Sequence, residues 1–298
     1  MEIRYCRLPI ANLWLSPESI REEDGPSLKG AEGFYQWLNS LDTERRKGLT
    51  GRLESQLLLG EPAMVIEERE DWVKVCLPHQ STRKDARGYP GWVYRDQLTF
   101  HSRFDKAFSN SPYAWVTADQ TIPFSENGDK EWPLSFMTRL PCIGKEDNHA
   151  IVLTPEGATK RLALSDVFIA ETLPITPPST RLPTAERFLG LSYLWGGMSS
   201  FGFDCSGFVH RILAAHGLVI PRDASDQAQQ GIRLTKEELL PGDLVFFAHE
   251  KGQGAIHHVG MVIGEQSFIH SPNSGHPVRI NALSDEPYGA EFCWGVRY

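Results

Sequence analysis

Apolar positions in the last third of the chain change period several times, and each change predicts an element. Cys205, Phe208, Val209, Ile212 and Leu213 recur at spacings of three and one, which is a helix face, and His216-Gly217 supplies a C-terminal stop. That helix is predicted to open near Asp204. After the turn Pro241-Gly242-Asp243, the run Leu244-Val245-Phe246-Phe247-Ala248 is predicted as a buried strand. His258-Val259-Gly260-Met261-Val262-Ile263-Gly264 predicts a second strand, and Ser267-Phe268-Ile269-His270 a third. A tight Gly264-Glu265-Gln266 connection between these two suits a hairpin.

Upstream the pattern is of short strands and polar turns. Leu57-Leu58-Leu59-Gly60-Glu61, Ala63-Met64-Val65-Ile66-Glu67, Trp72-Val73-Lys74-Val75-Cys76 and Gly88-Tyr89-Pro90-Gly91-Trp92-Val93 suit a small barrel, with a helical insertion around Gly33 to Lys47. Tyr113-Ala114-Trp115-Val116, Ala150-Ile151-Val152-Leu153 and Val167-Phe168-Ile169-Ala170 suggest a second one. Between these strands and the Cys205 helix, residues 174–183 hold four prolines and no hydrophobic periodicity, so an extended, stiff linker is expected there.

Composition narrows the class. The chain has 298 residues, enough for more than one domain, and 41% hydrophobic content suits sizeable cores. A net charge of −8 without a Lys or Arg cluster argues against nucleic acid or an anionic membrane as partner. No run is long enough to span a membrane. Five scattered cysteines (Cys6, Cys76, Cys142, Cys205, Cys293) argue against a disulfide framework, and the first residues lack a signal-peptide core. A cytoplasmic location is therefore expected, or an extracellular one if a leader precedes Met1.

Cys205 carries the candidate chemistry. Backbone N–H groups at a helix start stabilise negative charge, so a thiol there is expected to ionise more easily than one in mid-helix. Cys205, an imidazole base at His258 and an orienting group at His270 compose a triad for acyl transfer. His257 adjoins His258, and strand alternation sends the two to opposite faces. The other four cysteines, and His210, His216, His249 and His276, are read as structural. Zinc on Cys205, His258 and His270 is the chemical rival, but neither CxxC nor HxxxH spacing supports it, and no metal or cofactor is expected.

Asp204-Cys205-Ser206-Gly207, Pro241-Gly242-Asp243-Leu244, His258-Val259-Gly260 and His270 occur in order at suitable spacing. From Tyr193 to His270 the chain resembles the NlpC family of papain-like cysteine peptidases, which cut bacterial cell-wall peptides. The strand run through Gly88-Tyr89-Pro90-Gly91-Trp92-Val93 resembles the bacterial SH3-like domains that accompany them. The implied architecture is multidomain: two small SH3-like β-barrels (1–105, with the helical insertion, and 106–173), the linker 174–183, and an α+β papain-like cysteine peptidase domain over 184–298.

Over nearly its whole length the chain resembles the YkfC-like γ-D-glutamyl-L-diamino acid endopeptidases. The resemblance implies hydrolysis of murein peptides with a free N-terminal L-Ala, such as L-Ala-γ-D-Glu-diaminopimelate, in cell-wall peptide recycling. Cys205 N–H and the Tyr193 hydroxyl would hold the oxyanion. Asp204, Ser206, Asp223 and Ser225 are the substrate-binding positions near the Cys205 helix. Tyr89 and Glu54 are those of the first barrel, where an acid and a tyrosine hold the L-Ala amine. Asp223 could instead only cap the short helix after it, and Tyr89 could be plain barrel core. The alternative function is a wall-binding protein whose SH3-like modules do the work beside an inactive peptidase domain.

Overall fold

The computed structural model describes residues 2–264 and 266–298, and the chain divides into two compact units, Met1–Thr172 and Leu173–Tyr298. The predicted Gly264-Glu265-Gln266 turn includes Glu265, which lies outside the described residues.

In the first unit an antiparallel sheet runs in the order Leu53–Leu58, Ile10–Trp14, Tyr89–Tyr94, Trp72–Leu77, Pro62–Arg69, Ile3–Cys6, Leu98–Thr99. Its buried face collects Ala11, Leu13, Leu57, Ala63, Val73 and Val75. Gly91 lets Leu13 lie against this strand, since a Cβ there would meet the Leu13 side chain at 2.6 Å. The predicted strand at Leu57–Glu61 begins earlier, at Leu53, and ends at Leu58 because Gly60 turns the chain at φ +81. Two helices, Gly30–Ser40 and Thr43–Lys47, occupy the predicted insertion. Ile3–Cys6 and Ile10–Trp14 escape sequence reading. The first alternates apolar with polar over only four residues, and the second is a short run buried at every position.

A second antiparallel sheet has the order Thr159–Ala163, His149–Leu153, Arg139–Glu146, Tyr113–Val116, Val167–Ala170. Tyr5 of the first sheet and Leu59, in the turn after Leu58, join Phe104, Val116, Leu140 and Val152 in one core. The two SH3-like segments therefore share buried surface instead of folding as separate beads. Neither sheet closes hydrogen bond to hydrogen bond into a barrel: among the described residues the edge strands Leu53–Leu58 and Leu98–Thr99 do not pair. Leu98–Thr99, at two residues, is too short to complete the ladder.

The second unit places the helix Cys205–Ala215 against a six-stranded antiparallel sheet. Its order is Ile232–Leu234, Phe292–Arg297, Leu244–Ala248, Ile256–Gly264, Ser267–His270, Arg279–Ala282. Here the expected extended linker differs from the structure. Pro178–Thr180 forms a 3-10 turn and Arg181–Glu186 a helix, with Pro183 in the first turn, where a missing N–H costs no intrahelical bond. Thr176 and Thr180 hydrogen-bond to His216 Nδ1, and buried Arg181 donates to the Gly242 and Tyr298 carbonyls. The segment belongs to the second unit, which begins at Leu173.

His210 lies buried on the Cys205 helix, and neither ring nitrogen has a partner among the described residues. An unsatisfied buried donor costs about 1–3 kcal/mol, so His210→Leu should raise the unfolding free energy by about 1 kcal/mol. Burial, followed by the charges of Arg211 and Arg222, holds its pKa well below 6.5. Its neutral-state stability is therefore complete above 6.5 and is lost as pH falls towards the folded value. Urea unfolding should show the advantage of His210→Leu widening at acid pH; a variant that is less stable than the parent at acid pH would contradict this account.

Candidate active site

The Cys205 helix is capped by Asp204, whose side chain accepts from Gly207 N at 2.7 Å. Gly207 is required because the Gly197 carbonyl lies where its Cβ would be, 2.1 Å away. Sequence reading missed the partner that makes a buried Asp204 tolerable. Arg222 bonds Asp204 Oδ2 at 2.6 Å and Oδ1 at 3.2 Å, and reaches Ser206 Oγ at 2.9 Å. Arg222 is 1% exposed, so the carboxylate and guanidinium compensate each other inside the protein. Asp204 and Ser206, expected as substrate contacts, thus spend their side chains on the helix start. The polar neighbour in Pro221-Arg222-Asp223 was the available signal for Arg222.

The Cys205 thiol lies against the strand that carries His258, where the Val259 backbone N–H donates to it. The expectation of an easily formed thiolate is reversed. Burial first, then the Asp204 carboxylate, push Cys205 up to about 12; the N–H groups of Val259 and Ser206 and the charge of Arg222 only partly offset this. Desolvation outweighs the helix start. Cys205 is half-buried by exposure, whereas His258 is buried and is held well below 6.5 by burial and by His270 and His257, so thiol and imidazole both rest neutral.

His258 Nε2 lies 2.7 Å from His270 Nδ1. His270 Nε2 lies 3.0 Å from Asn281 Oδ1, an acceptor, and so carries the proton. His270 Nδ1 is then the acceptor of the pair and His258 Nε2 its donor, which leaves His258 Nδ1 with the free lone pair. Burial takes His270 down to about 4 despite the Asn281 bond. Asn281 gave no sequence signal, because it reaches His270 only through the pairing of Phe268 with Asn281 across the sheet. Tyr288 was missed as well; its ring lies against those of His258, His270 and Phe268. Gly260 leaves room for Phe268, whose ring would meet a Cβ at 2.5 Å and lies tilted against His270 with centroids 4.5 Å apart.

Strand alternation separates the two adjacent histidines. His258 is buried, whereas His257 faces outward, bonded to Glu291 at 3.1 Å and stacked on His249. Among the described residues His249, His257 and Glu291 form the group whose donor atoms converge within 4.8 Å, as a metal would need; Cys205, His258 and His270 do not. Tyr193 is buried, and burial raises its pKa well above 10, so its hydroxyl keeps its proton. Asp223 is half-buried, and its side chain does not cap the helix Ala224–Gln227. Ser225 Oγ lies 3.4 Å from Asp226 Oδ1.

In the first unit Glu54 and Tyr89 come together, the tyrosine hydroxyl donating to Glu54 Oε2 at 3.2 Å. Tyr89 is 2% exposed, so its ring serves the core while its hydroxyl serves Glu54. The Lys84 ammonium sits on both, 2.7 Å from Glu54 Oε2.

Residues 190–297 match the NlpC/P60 family, residues 116–169 the YKFC SH3b2 domain and residues 45–98 the bacterial dipeptidyl-peptidase Sh3 domain. The chain is 39% identical to a gamma-D-glutamyl-L-lysine dipeptidyl-peptidase of Bacillus cereus, over 99% of this chain and 90% of that protein. It is also 39% identical to the Bacillus subtilis protein of that name, over 95% of each. The crystal structure of an NlpC/P60 family protein from Bacillus cereus superposes with a TM-score of 0.95 at 36% identity, covering 100% of this chain and 99% of that one.

Cys205, His258 and His270 should act as a neutral set, so the acid limb of kcat/KM should fall below the ordinary imidazole value of 6.5. Iodoacetamide labelling of Cys205 should accelerate with rising pH throughout the neutral range. An acid limb at or above 6.5, or labelling independent of pH, would show an ion pair instead.

Proposed function

The chain belongs to the NlpC/P60 family and is a γ-D-glutamyl-L-diamino acid endopeptidase; we propose that Cys205 is its nucleophile, His258 its base and His270 the group that orients His258. The observation that carries these roles is the directed His258–His270–Asn281 arrangement beside a cysteine at a helix start. Cys205 Sγ attacks the γ-carbonyl of D-Glu as its proton passes to His258 Nδ1. The developing oxyanion takes the Cys205 N–H and the Tyr193 hydroxyl. His258 then gives that proton to the departing amine of the diamino acid, leaving a thioester on Cys205. Water, deprotonated by His258, cleaves the thioester and restores the thiol.

The substrate we propose is a murein peptide that opens with free L-Ala, such as L-Ala-γ-D-Glu joined to diaminopimelate or L-lysine. Glu54 and Tyr89 already hold an ammonium, that of Lys84, which is the chemistry an L-Ala amine requires. Asp223 is a further carboxylate on the connection after the Cys205 helix. Such a preference selects peptides released from the wall over intact wall, whose L-Ala amine is blocked. It accords with a cytoplasmic recycling role.

Cys205→Ala should abolish cleavage of L-Ala-γ-D-Glu-diaminopimelate, followed by mass spectrometry of the products, without loss of fold; normal turnover would refute the nucleophile. N-acetylating the peptide removes the charge, and kcat/KM should fall by more than about tenfold. Equal cleavage of free and acetylated peptide would remove the amine pocket and leave the thiol chemistry standing.

A further inference from the structure

We infer that Asn281 and Asp285 are positioning residues that set the proton arrangement of the His258–His270 pair, with Asp285 choosing which way the Asn281 amide faces. The inference rests on His258 being the base. The side-chain amide of Asn281 lies between two groups of opposite demand. Its Oδ1 faces His270 Nε2 at 3.0 Å, and its Nδ2 donates to Asp285 Oδ2 at 2.7 Å. An amide can be turned over with little change of shape. Turned here, it would set Oδ1 against the Asp285 carboxylate, oxygen on oxygen, with no hydrogen between them. Asp285 forbids that orientation because an ionised carboxylate can only accept.

The consequence runs inward along the hydrogen bonds. With Oδ1 fixed toward the ring, His270 must protonate Nε2, His270 Nδ1 must accept, and His258 must present Nε2–H to it. Of the two nitrogens without a proton, His270 Nδ1 accepts from His258, so the one lone pair left uncommitted is that of His258 Nδ1, the atom the proposed reaction needs bare. Without Asp285 the opposite amide orientation becomes available. The amide would then donate to His270 Nε2, reversing every proton in the series and placing a hydrogen on His258 Nδ1.

The carboxylate is itself fixed by its turn. Asp285 Oδ2 accepts from Ala282 N at 3.0 Å, and Asp285 N donates back to the Ala282 carbonyl at 3.1 Å. Asn281 and Ala282 end the strand Arg279–Ala282, in which Asn281 pairs with Phe268 and Arg279 with His270. The amide thus sits two residues further along its strand than the residue facing His270, on the same side of the pleat. Asp285 is exposed, so its effect is one of direction, carried by hydrogen bonds, and not of long-range charge.

The test separates direction from mere support. Nitrogen-15 NMR of the imidazoles of the full-length protein should find Nε2 protonated in both His258 and His270. Asn281→Leu removes the acceptor and should lower kcat by about tenfold with KM unchanged, while His270 becomes a mixture of tautomers. Asp285→Ala should move both readouts in the same direction by less. Asp285→Asn, whose side-chain oxygen can still accept from Asn281 and Ala282, should recover the parental values. Parental tautomers in Asn281→Leu and Asp285→Ala would overturn the inference, whether activity is kept or is lost together with stability. So would Nδ1-protonated His258 in the parent. Turnover by His258→Ala would instead defeat the reading of His258 as base, a distinct outcome, since the tautomers are read without catalysis.

Discussion

The buried pairing of Asp204 with Arg222 is the constraint on which the catalytic unit depends. One carboxylate caps the Cys205 helix, holds Ser206 through the shared guanidinium, and lies close enough to oppose a charge on the thiol. Removing either partner would leave an uncompensated charge in the interior, which costs about 3–5 kcal/mol. The carboxylate of this pair therefore fixes where the sulfur stands and disfavours its ionisation, which the guanidinium only partly offsets. A helix start alone would have activated the thiol; the residue that builds that helix start works in the other direction.

This balance accounts for the character of the whole site. His258 and Tyr193 are buried and Cys205 is half-buried, and burial dominates the pKa of each. Charge is kept out of the resting site and generated only during reaction, when the donors around the sulfur can act on it. The supporting framework is correspondingly apolar: Phe247, Phe268 and Tyr288 enclose the two histidines, and Gly207 and Gly260 occupy positions where a Cβ would push the helix or the sheet away.

Much of this was legible before any coordinates. Helical spacing after Cys205, the alternation that parts His257 from His258, and the four ordered motifs all depend on local periodicity, which a sequence displays directly. The strands Arg139–Glu146 and Thr159–Ala163 were illegible because their polar residues mask the period. The prolines of 174–183 misled, since proline is as welcome in a helix's first turn as in an extended segment. Asn281 and Tyr288 reach the site through sheet register and tertiary packing, which leave no trace in neighbouring residues. The thiol's state was misjudged for a related reason: the helix start is a sequence signal, whereas desolvation belongs to the finished fold.

Lys84 gives the first unit a property of a different kind. Its ammonium already lies on Glu54 and Tyr89, so a peptide amine bound there, as proposed, would not fill a vacancy but would exchange one ammonium for another. The affinity gained is then only the difference between two like contacts, and the displaced side chain returns to water. Such an exchange would select by shape and reach among cations, while an uncharged end could not take the resident ammonium's place at all. Added salt weakens the incoming and the resident ion pair together, so selection for the amine should depend little on ionic strength.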